Sequence, residues 1–254
     1  MKFTNYLKNH TFIQNSEEKS TIFPLHYTEK EKKCLSSLTI LNKNRYQYYG
    51  TIEQMSSLYD FLNSAVSGQI KTLEKIIIMI IKNINKLFNT SHFWIKIIIT
   101  LNTKSSWIKP RWHKDGKFFD RSTPNHQIKF VTSLLGANTL LAANTQQNYT
   151  KFDNLIQKKR DENDIYQKNK KLDPHSQTAM DYFFNVLNPK YENLLVNMIT
   201  ASETNKSDIG ILFAVGAPNA AIHSEPLMDR PRIFLSIVPG TKSEILQLKK
   251  KVTK

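Results

Sequence analysis

Residues 69–88 place Ile70, Leu73, Ile77, Ile80, Ile81, Ile84 and Leu87 three or four positions apart, which is the period of an α-helix with one apolar face. The lysines of this stretch would face water or lie along the edges of that face. From Phe93 the texture changes to F-W-I-K-I-I-I-T-L, a short run of β-branched and aromatic residues that reads as a strand. A one-faced helix followed by an apolar strand predicts a helix laid over a sheet.

Further strands are expected at 127–135, 139–143, 208–215, 220–224 and 232–238, with Gly136, Gly216 and Pro226 as punctuation. Helical spacing also covers 51–65. Residues 1–50 mix short apolar pieces with charged runs and read as an extension packed on the core. Between the two groups of strands, residues 144–207 are helical and charged. A second helix is expected there to start at Asp173-Pro174, with Asp as N-cap and Pro at the first helical position, turning Tyr182, Phe183, Val186 and Leu187 inward. The reading is one mixed α and β domain over 1–254, without internal repeats. Residues 1–92 form an extension and helical layer, 93–143 and 208–240 a β core, and 144–207 a helical insertion.

The chain has 254 residues, 40% of them hydrophobic and 11% aromatic, enough apolar surface for a folded core. Its net charge of +15 would suit nucleic acid or an acidic membrane. Lys, Asn and Ile are abundant together along the whole chain, however, a bias that AT-rich coding produces without selection for binding, so nucleic acid is not the favoured partner. The single Cys34 cannot form an internal disulfide and fits a reducing compartment. The start, M-K-F-T-N-Y-L-K-N-H, is too polar for a signal peptide. The run I-I-I-M-I-I at 76–81, flanked by Lys75 and Lys82, falls far short of the roughly 20 apolar residues of a membrane span. A cytoplasmic site of action is expected.

Residues 110–116 read P-R-W-H-K-D-G and set His113 two positions before Asp115. A lone His-x-acid pair is a weak signal. Iron(II) sites that activate oxygen use two histidines and one carboxylate on one face of the metal, leaving other positions open. A third ligand should then come from a later strand, followed by a basic residue able to grip a carboxylate. Residues 216–239, G-A-P-N-A-A-I-H-S-E-P-L-M-D-R-P-R-I-F-L-S-I-V-P, put His223 at the end of a short apolar strand and Arg232 at the start of the next.

In these residues, over roughly 93–143 and 208–239, the chain resembles the Fe(II)/2-oxoglutarate-dependent dioxygenase superfamily, whose pattern is His-x-Asp, a distal His, then Arg or Lys about ten residues on. The resemblance implies a double-stranded β-helix of the jelly-roll or cupin-like kind. It also implies Fe(II) on His113, Asp115 and His223, with O₂ and the co-substrate 2-oxoglutarate at the open positions and Arg232 on the far carboxylate of the keto acid. The reaction implied is an oxidation, hydroxylation above all, with succinate and CO₂ as co-products. The guanidinium fork suits a carboxylate better than a lysine point charge does. Many members carry Ser or Thr two residues after the Arg. Here that position is Phe234, and the nearest hydroxyl, Ser236, would share the strand face of Arg232. Asn138, in the turn G-A-N-T, and Lys129 are further candidates for the co-substrate carboxylates.

Plainer readings stand beside these. His113 and Asp115 could lie in a surface loop, and His223 could be a core histidine bonded to backbone. Arg232 could pair with Glu225 or Asp229, and Arg230 competes for the anchoring role. Trp107, Trp112 and Phe130 could line a pocket or simply pack, while His126 and His175 lack ligand spacing. Two other functions fit the same sequence: a cupin-like metal-dependent hydrolase or isomerase, and a non-catalytic basic protein that contacts nucleic acid or an acidic partner. The substrate, small molecule or macromolecule, and the oligomeric state are left open.

Overall fold

The computed structural model describes residues 19–101, 109–120, 127–202, 208–216, 220–226 and 230–252. The fold is mixed α and β with antiparallel sheets. The larger sheet has six strands, β1 (Ser20–Pro24), β3 (Asn44–Gly50), β5 (His92–Thr100), β7 (Gln127–Leu135), β9 (Ile209–Val215) and β11 (Arg232–Gly240), in the spatial order β1-β9-β7-β11-β5-β3. A smaller sheet consists of β6 (His113–Lys114), β8 (Leu140–Leu141) and β10 (Ile222–Ser224), in the order β6-β10-β8. Strands β2 (Thr39–Ile40) and β4 (Val66–Ser67) pair separately.

Strand β5 shows how the sheet is made. Phe93, Ile95, Ile97 and Ile99 are fully buried, while the residues between them are half-buried, the two-residue period of a strand with different environments on its faces. The buried face meets helix α3 (Ile70–Phe88), whose Leu73, Ile76, Ile77, Ile80, Ile81 and Ile84 have almost no exposure. Burying each such side chain contributes on the order of 1.5–3 kcal/mol, so this layer is the main core. The helix ends where Asn89 turns left-handed at φ 47°, a conformation asparagine tolerates.

Helices α1 (Glu29–Ser36) and α2 (Leu58–Ala65) complete the layer. The first is fixed by a capping box between Thr28 and Glu31. The expected helix over 51–65 is broken: Ile52–Gln54 make one 3₁₀ turn, and the helix starts only after a bend that buries Met55. Three strands come from the segment read as an extension, β2 and the two strands β1 and β3. The latter two form the two edges of the larger sheet, paired to β9 and β5.

From β5 to β11 the chain alternates between the two sheets: β5 large, β6 small, β7 large, β8 small, β9 large, β10 small, β11 large. Ala201, just before β9, also bridges to Ala142 beside β8. The inner faces meet through Val131, Ile211, Phe213 and Val215 of the larger sheet and Leu141 and Ala221 on the other side.

Between β8 and β9 lies the insertion: α4 (Gln146–Lys170), α5 (Gln177–Tyr182), a π-helical turn at Phe183–Leu187, and α6 (Asn188–Met198). Helix α4 starts at its cap Thr145, and its N-terminal part packs Tyr149, Phe152 and Leu155 with Leu187, Tyr191 and Leu195 against Trp112 and Ile222 beside and on the small sheet. The expected start at Asp173-Pro174 is corrected. Asp173 Oδ1 accepts from the His175 amide at 2.7 Å in a turn, and Ser176 caps the helix that follows. Val186, expected inward, is 53% exposed. The π turn adds a residue and rotates the face, so Leu187 takes the buried place. Asn148 ties both ends of the insertion, donating from Nδ2 to the carbonyls of Ala143 (2.9 Å) and Thr200 (3.1 Å).

Helix α7 (Lys242–Val252), which the sequence reading left unassigned, covers Phe119 and Val238 with Ile245 and Leu248. Among the described residues no helix is long and apolar enough to cross a membrane.

Candidate metal centre

Strand alternation aims the first ligands. Trp112, just before β6, and Lys114 on it turn toward the insertion, where Trp112 joins its core and Lys114 Nζ meets Asp153 of α4 at 2.5 Å, so His113 between them faces inward. On β10, Ile222 turns to the insertion core and His223 faces inward against the Phe213 ring, centroids 4.6 Å apart. His113 and His223 are paired residues of adjacent strands, with ring centroids 4.3 Å apart. The register of β6 against β10 thus brings together histidines far apart in sequence.

Asp115 follows β6, and its main chain is held by a 2.9 Å hydrogen bond from the Gly216 amide to its carbonyl. Gly216 closes β9 at φ +87°, where a side chain would be strained. The loop beyond is pinned by buried Gln127, whose Oε1 accepts from the amides of Phe118 (2.8 Å) and Phe119 (3.0 Å). Ligand atoms of His113, Asp115 and His223 all lie within 4.8 Å of one another, a group that could hold a metal ion. Asp115 Oδ1 is 3.8 Å from His113 Nε2 and 3.6 Å from His223 Nε2.

Protonation follows from the partners. His113 Nδ1 is 2.8 Å from the Arg111 carbonyl, and His223 Nδ1 is 3.2 Å from the Ala221 carbonyl. A carbonyl only accepts, so in the neutral imidazoles Nδ1 carries the proton and Nε2 presents its lone pair to Asp115 Oδ1. Two lone pairs and a carboxylate oxygen this close together are a donor set that suits a cation between them. Burial drives the His223 pKa down to about 3, helped by the facing His113 and opposed by Asp115. Burial pushes the Asp115 carboxyl up, but Lys129 and the two imidazoles outweigh it and hold it below the usual carboxylate range. At neutral pH the site therefore offers neutral His223 and charged Asp115.

A stability consequence follows. The pKa of His223 is lower folded than unfolded, so between about 6.5 and about 3 the unfolded chain binds a proton that the folded chain refuses. Stability is full above pH 6.5 and falls as acid is added through that window. One such group gives a slope of up to about 1.4 kcal/mol per pH unit. Urea unfolding of metal-free protein from pH 7.5 to 4 should show this fall, and His223→Asn should flatten it; equal slopes in the two proteins would refute the assignment.

The inner face of the larger sheet carries the remaining candidates. Lys129 Nζ bonds Asp115 Oδ2 at 2.7 Å. Lys96 stands over the Trp94 ring at 4.7 Å. Arg232, Phe234 and Ser236 share this face as the strand period requires, and the Arg232 guanidinium lies 4.3 Å from the Phe234 ring centroid. Arg232 is almost wholly buried. Its Nε donates to Ser133 Oγ at 3.0 Å, and its Nη2 has no hydrogen-bond partner among the described residues. Burial lowers its pKa to about 10, against the pull of Glu225, so it stays charged. Gly136, at φ +82°, lets the end of β7 run against this strand: a Cβ there would sit 2.5 Å from the Pro231 carbonyl.

Other candidates lie elsewhere. Asn138 is buried and binds backbone, donating to the Ile209 carbonyl at 3.1 Å and accepting from the Thr139 amide at 3.0 Å. Glu225 faces Arg111 at 3.4 Å rather than Arg232. Arg230 lines a separate hollow with Leu38 and Pro231. Phe130 is buried in the helix-side core against Phe23, away from the inner face, and His175 is exposed on the insertion. Trp107, His126 and Asp229 lie outside the described residues. Neither the Gly216 amide that holds the Asp115 main chain nor the Phe213 ring behind His223 is legible in the sequence, because neither follows from spacing within a motif. A cleft of about 800 Å³ reaches His113 and Asp115, walled by Trp112 on one side and by Phe152, Arg160 and Tyr191 of the insertion on the other.

No protein-family model matches the sequence, and no curated protein is similar to it at a significant level. Among solved structures, a prolyl-4-hydroxylase from Pseudomonas putida is similar at 9% sequence identity, over 88% of this chain and 92% of that one, with a TM-score of 0.33. At that score the two share too little shape for a residue's role to be carried across.

Proposed function

We propose that this chain is an Fe(II)/2-oxoglutarate-dependent oxygenase. The observation that carries the proposal is the buried Arg232, whose Nη2 has no hydrogen-bond partner among the described residues, on the same inner face as Lys129, which bonds the candidate ligand Asp115. A buried guanidinium donor without a partner costs on the order of 1–3 kcal/mol, and a carboxylate ligand would offset that cost. The donor set of two imidazoles and one carboxylate fits iron(II) with positions left open. Strands that alternate between two facing sheets are the winding of a jelly roll, and we read the core as a double-stranded β-helix on that ground.

His113, Asp115 and His223 would hold the iron, and Arg232, with Ser236 beside it on the strand face, would orient 2-oxoglutarate by its far carboxylate. The bound group supplies the oxidation of a substrate C–H bond, with succinate and CO₂ as co-products. The backbone carbonyls of Arg111 and Ala221 keep each Nδ1 protonated, so Nε2 is free to bind metal without losing a proton. Phe213 and the small sheet shield His223 from water. The substrate would approach His113 through the cleft under α4 and α6. The insertion is then a determinant of what is oxidised.

Anaerobic titration of the purified chain with Fe(II) and then 2-oxoglutarate tests the proposal. The expected result is a visible absorption band from metal-to-keto-acid charge transfer, saturating at one equivalent. Folded, Fe(II)-loaded protein that develops no band would refute it.

A further inference from the structure

We propose that Lys129 is a positioning residue that keeps Asp115 a one-oxygen ligand, so that three positions on the bound metal stay open. This rests on the reading of His113, Asp115 and His223 as metal ligands. The two oxygens of Asp115 have different surroundings. Oδ1 faces both Nε2 atoms, at 3.8 and 3.6 Å, whereas Oδ2 is bonded to Lys129 Nζ at 2.7 Å. Both side chains of the ion pair are largely shielded, at 17% and 18% exposure, so solvent weakens this bond little. Charge-assisted bonds of this length are about twice as strong as neutral ones.

The lysine is itself held. It stands on the inner face of β7, opposite Phe213 in register, with Nζ 5.5 Å from that ring. The main chain of Asp115 is fixed by the Gly216 amide, which leaves rotation of the carboxylate as its remaining freedom. For both oxygens to reach one metal ion, Oδ2 would have to leave Lys129. A keto acid takes two positions and O₂ a third, so a two-oxygen Asp115 would leave the set one short. Lys96 shares the face and feels the charge of Asp115, but its ammonium stands over Trp94 and makes no ion pair with Asp115.

Metal affinity alone would not separate this role from simple charge, because removing a lysine also removes repulsion of the cation. The number of exchangeable waters on the metal does separate them. Water-proton relaxation of the full chain loaded with Mn(II) is expected to fall by about a third in Lys129→Met, as three open positions become two, and to recover in Lys129→Arg. Should the methionine variant fail to fold by near-ultraviolet circular dichroism, Lys129→Ala, which also lacks the donor, is read instead. Relaxation equal to wild type in the folded variant overturns the proposal. Wild-type protein that retains no Mn(II) overturns both this role and the metal centre. Wild type that holds Mn(II) without binding 2-oxoglutarate removes only the keto-acid reading, and the variant comparison still decides the role of Lys129.

Discussion

Arg232→Met is expected to weaken 2-oxoglutarate binding by about 100-fold or more while leaving Fe(II) affinity near that of wild type. The guanidinium is buried and held by Ser133 on one edge, and its Nη2, without a partner among the described residues, is in a setting where water competes poorly. Deleting one partner of a buried charged pair costs about 2–5 kcal/mol, and each 1.4 kcal/mol is a factor of ten in affinity. Methionine keeps much of the packing over Phe234, so the loss reports on the charge. Arg232→Lys should restore part of the affinity, because an ammonium keeps the charge and loses the fork. Calorimetric titration of the Fe(II)-loaded, anaerobic protein measures both. Undiminished 2-oxoglutarate affinity in Arg232→Met would remove the anchoring role and favour a metal enzyme without a keto acid.

His113→Ala is expected to lower Fe(II) affinity by more than about 100-fold, beyond the 10–100-fold that loss of an outer partner of a ligand costs. Production of succinate from 2-oxoglutarate under air should fall with it. His113 is the better of the two histidines to remove. Its side chain is 42% exposed, whereas that of His223 is 6% exposed and packs on Phe213. Truncating His223 would leave a cavity, so lost metal binding could be confused with lost structure. Circular dichroism and a thermal melt of His113→Ala should match wild type to within a few degrees. A variant that binds Fe(II) as tightly as wild type would show that these residues are not ligands.

The legible part of this chain was the part where burial and period agree. Strands β5, β7, β9 and β11 and helix α3 are rich in β-branched or periodic apolar residues, and the pattern alone marks them. The order His113, Asp115, His223, Arg232 could be read from residue types and spacing; of the four only Arg232 opens one of these strands, while His113 and His223 lie on the short strands β6 and β10. Edge strands were harder. N-R-Y-Q-Y-Y-G in β3 is polar and aromatic, since one face packs on the helices while the edge meets solvent, and β1 is only five residues long. Asp173-Pro174 carried the chemistry of a helix start, but the Asp173 side chain closed a turn instead, and tertiary context chose Ser176 as the cap. Lys129 was legible as a basic residue on a strand and illegible as the partner of Asp115. That pairing depends on how β7 and the loop after β6 face each other across the two sheets.

The two ends of the insertion meet at Asn148, which binds the chain as it leaves at Ala143 and as it returns at Thr200. A segment closed at its base makes its demands on the host at few places, chiefly Trp112, Lys114 and Ile222: elsewhere its length and sequence can drift while β8 and β9 each keep their pairing. The candidate ligands sit on or just after the strands of the small sheet, and one wall of the cleft sits on the closed segment. In evolutionary terms the chain separates what must be kept from what can be traded: under the proposed function, a new specificity could be reached by changing the insertion while keeping its packing on Trp112 and Ile222.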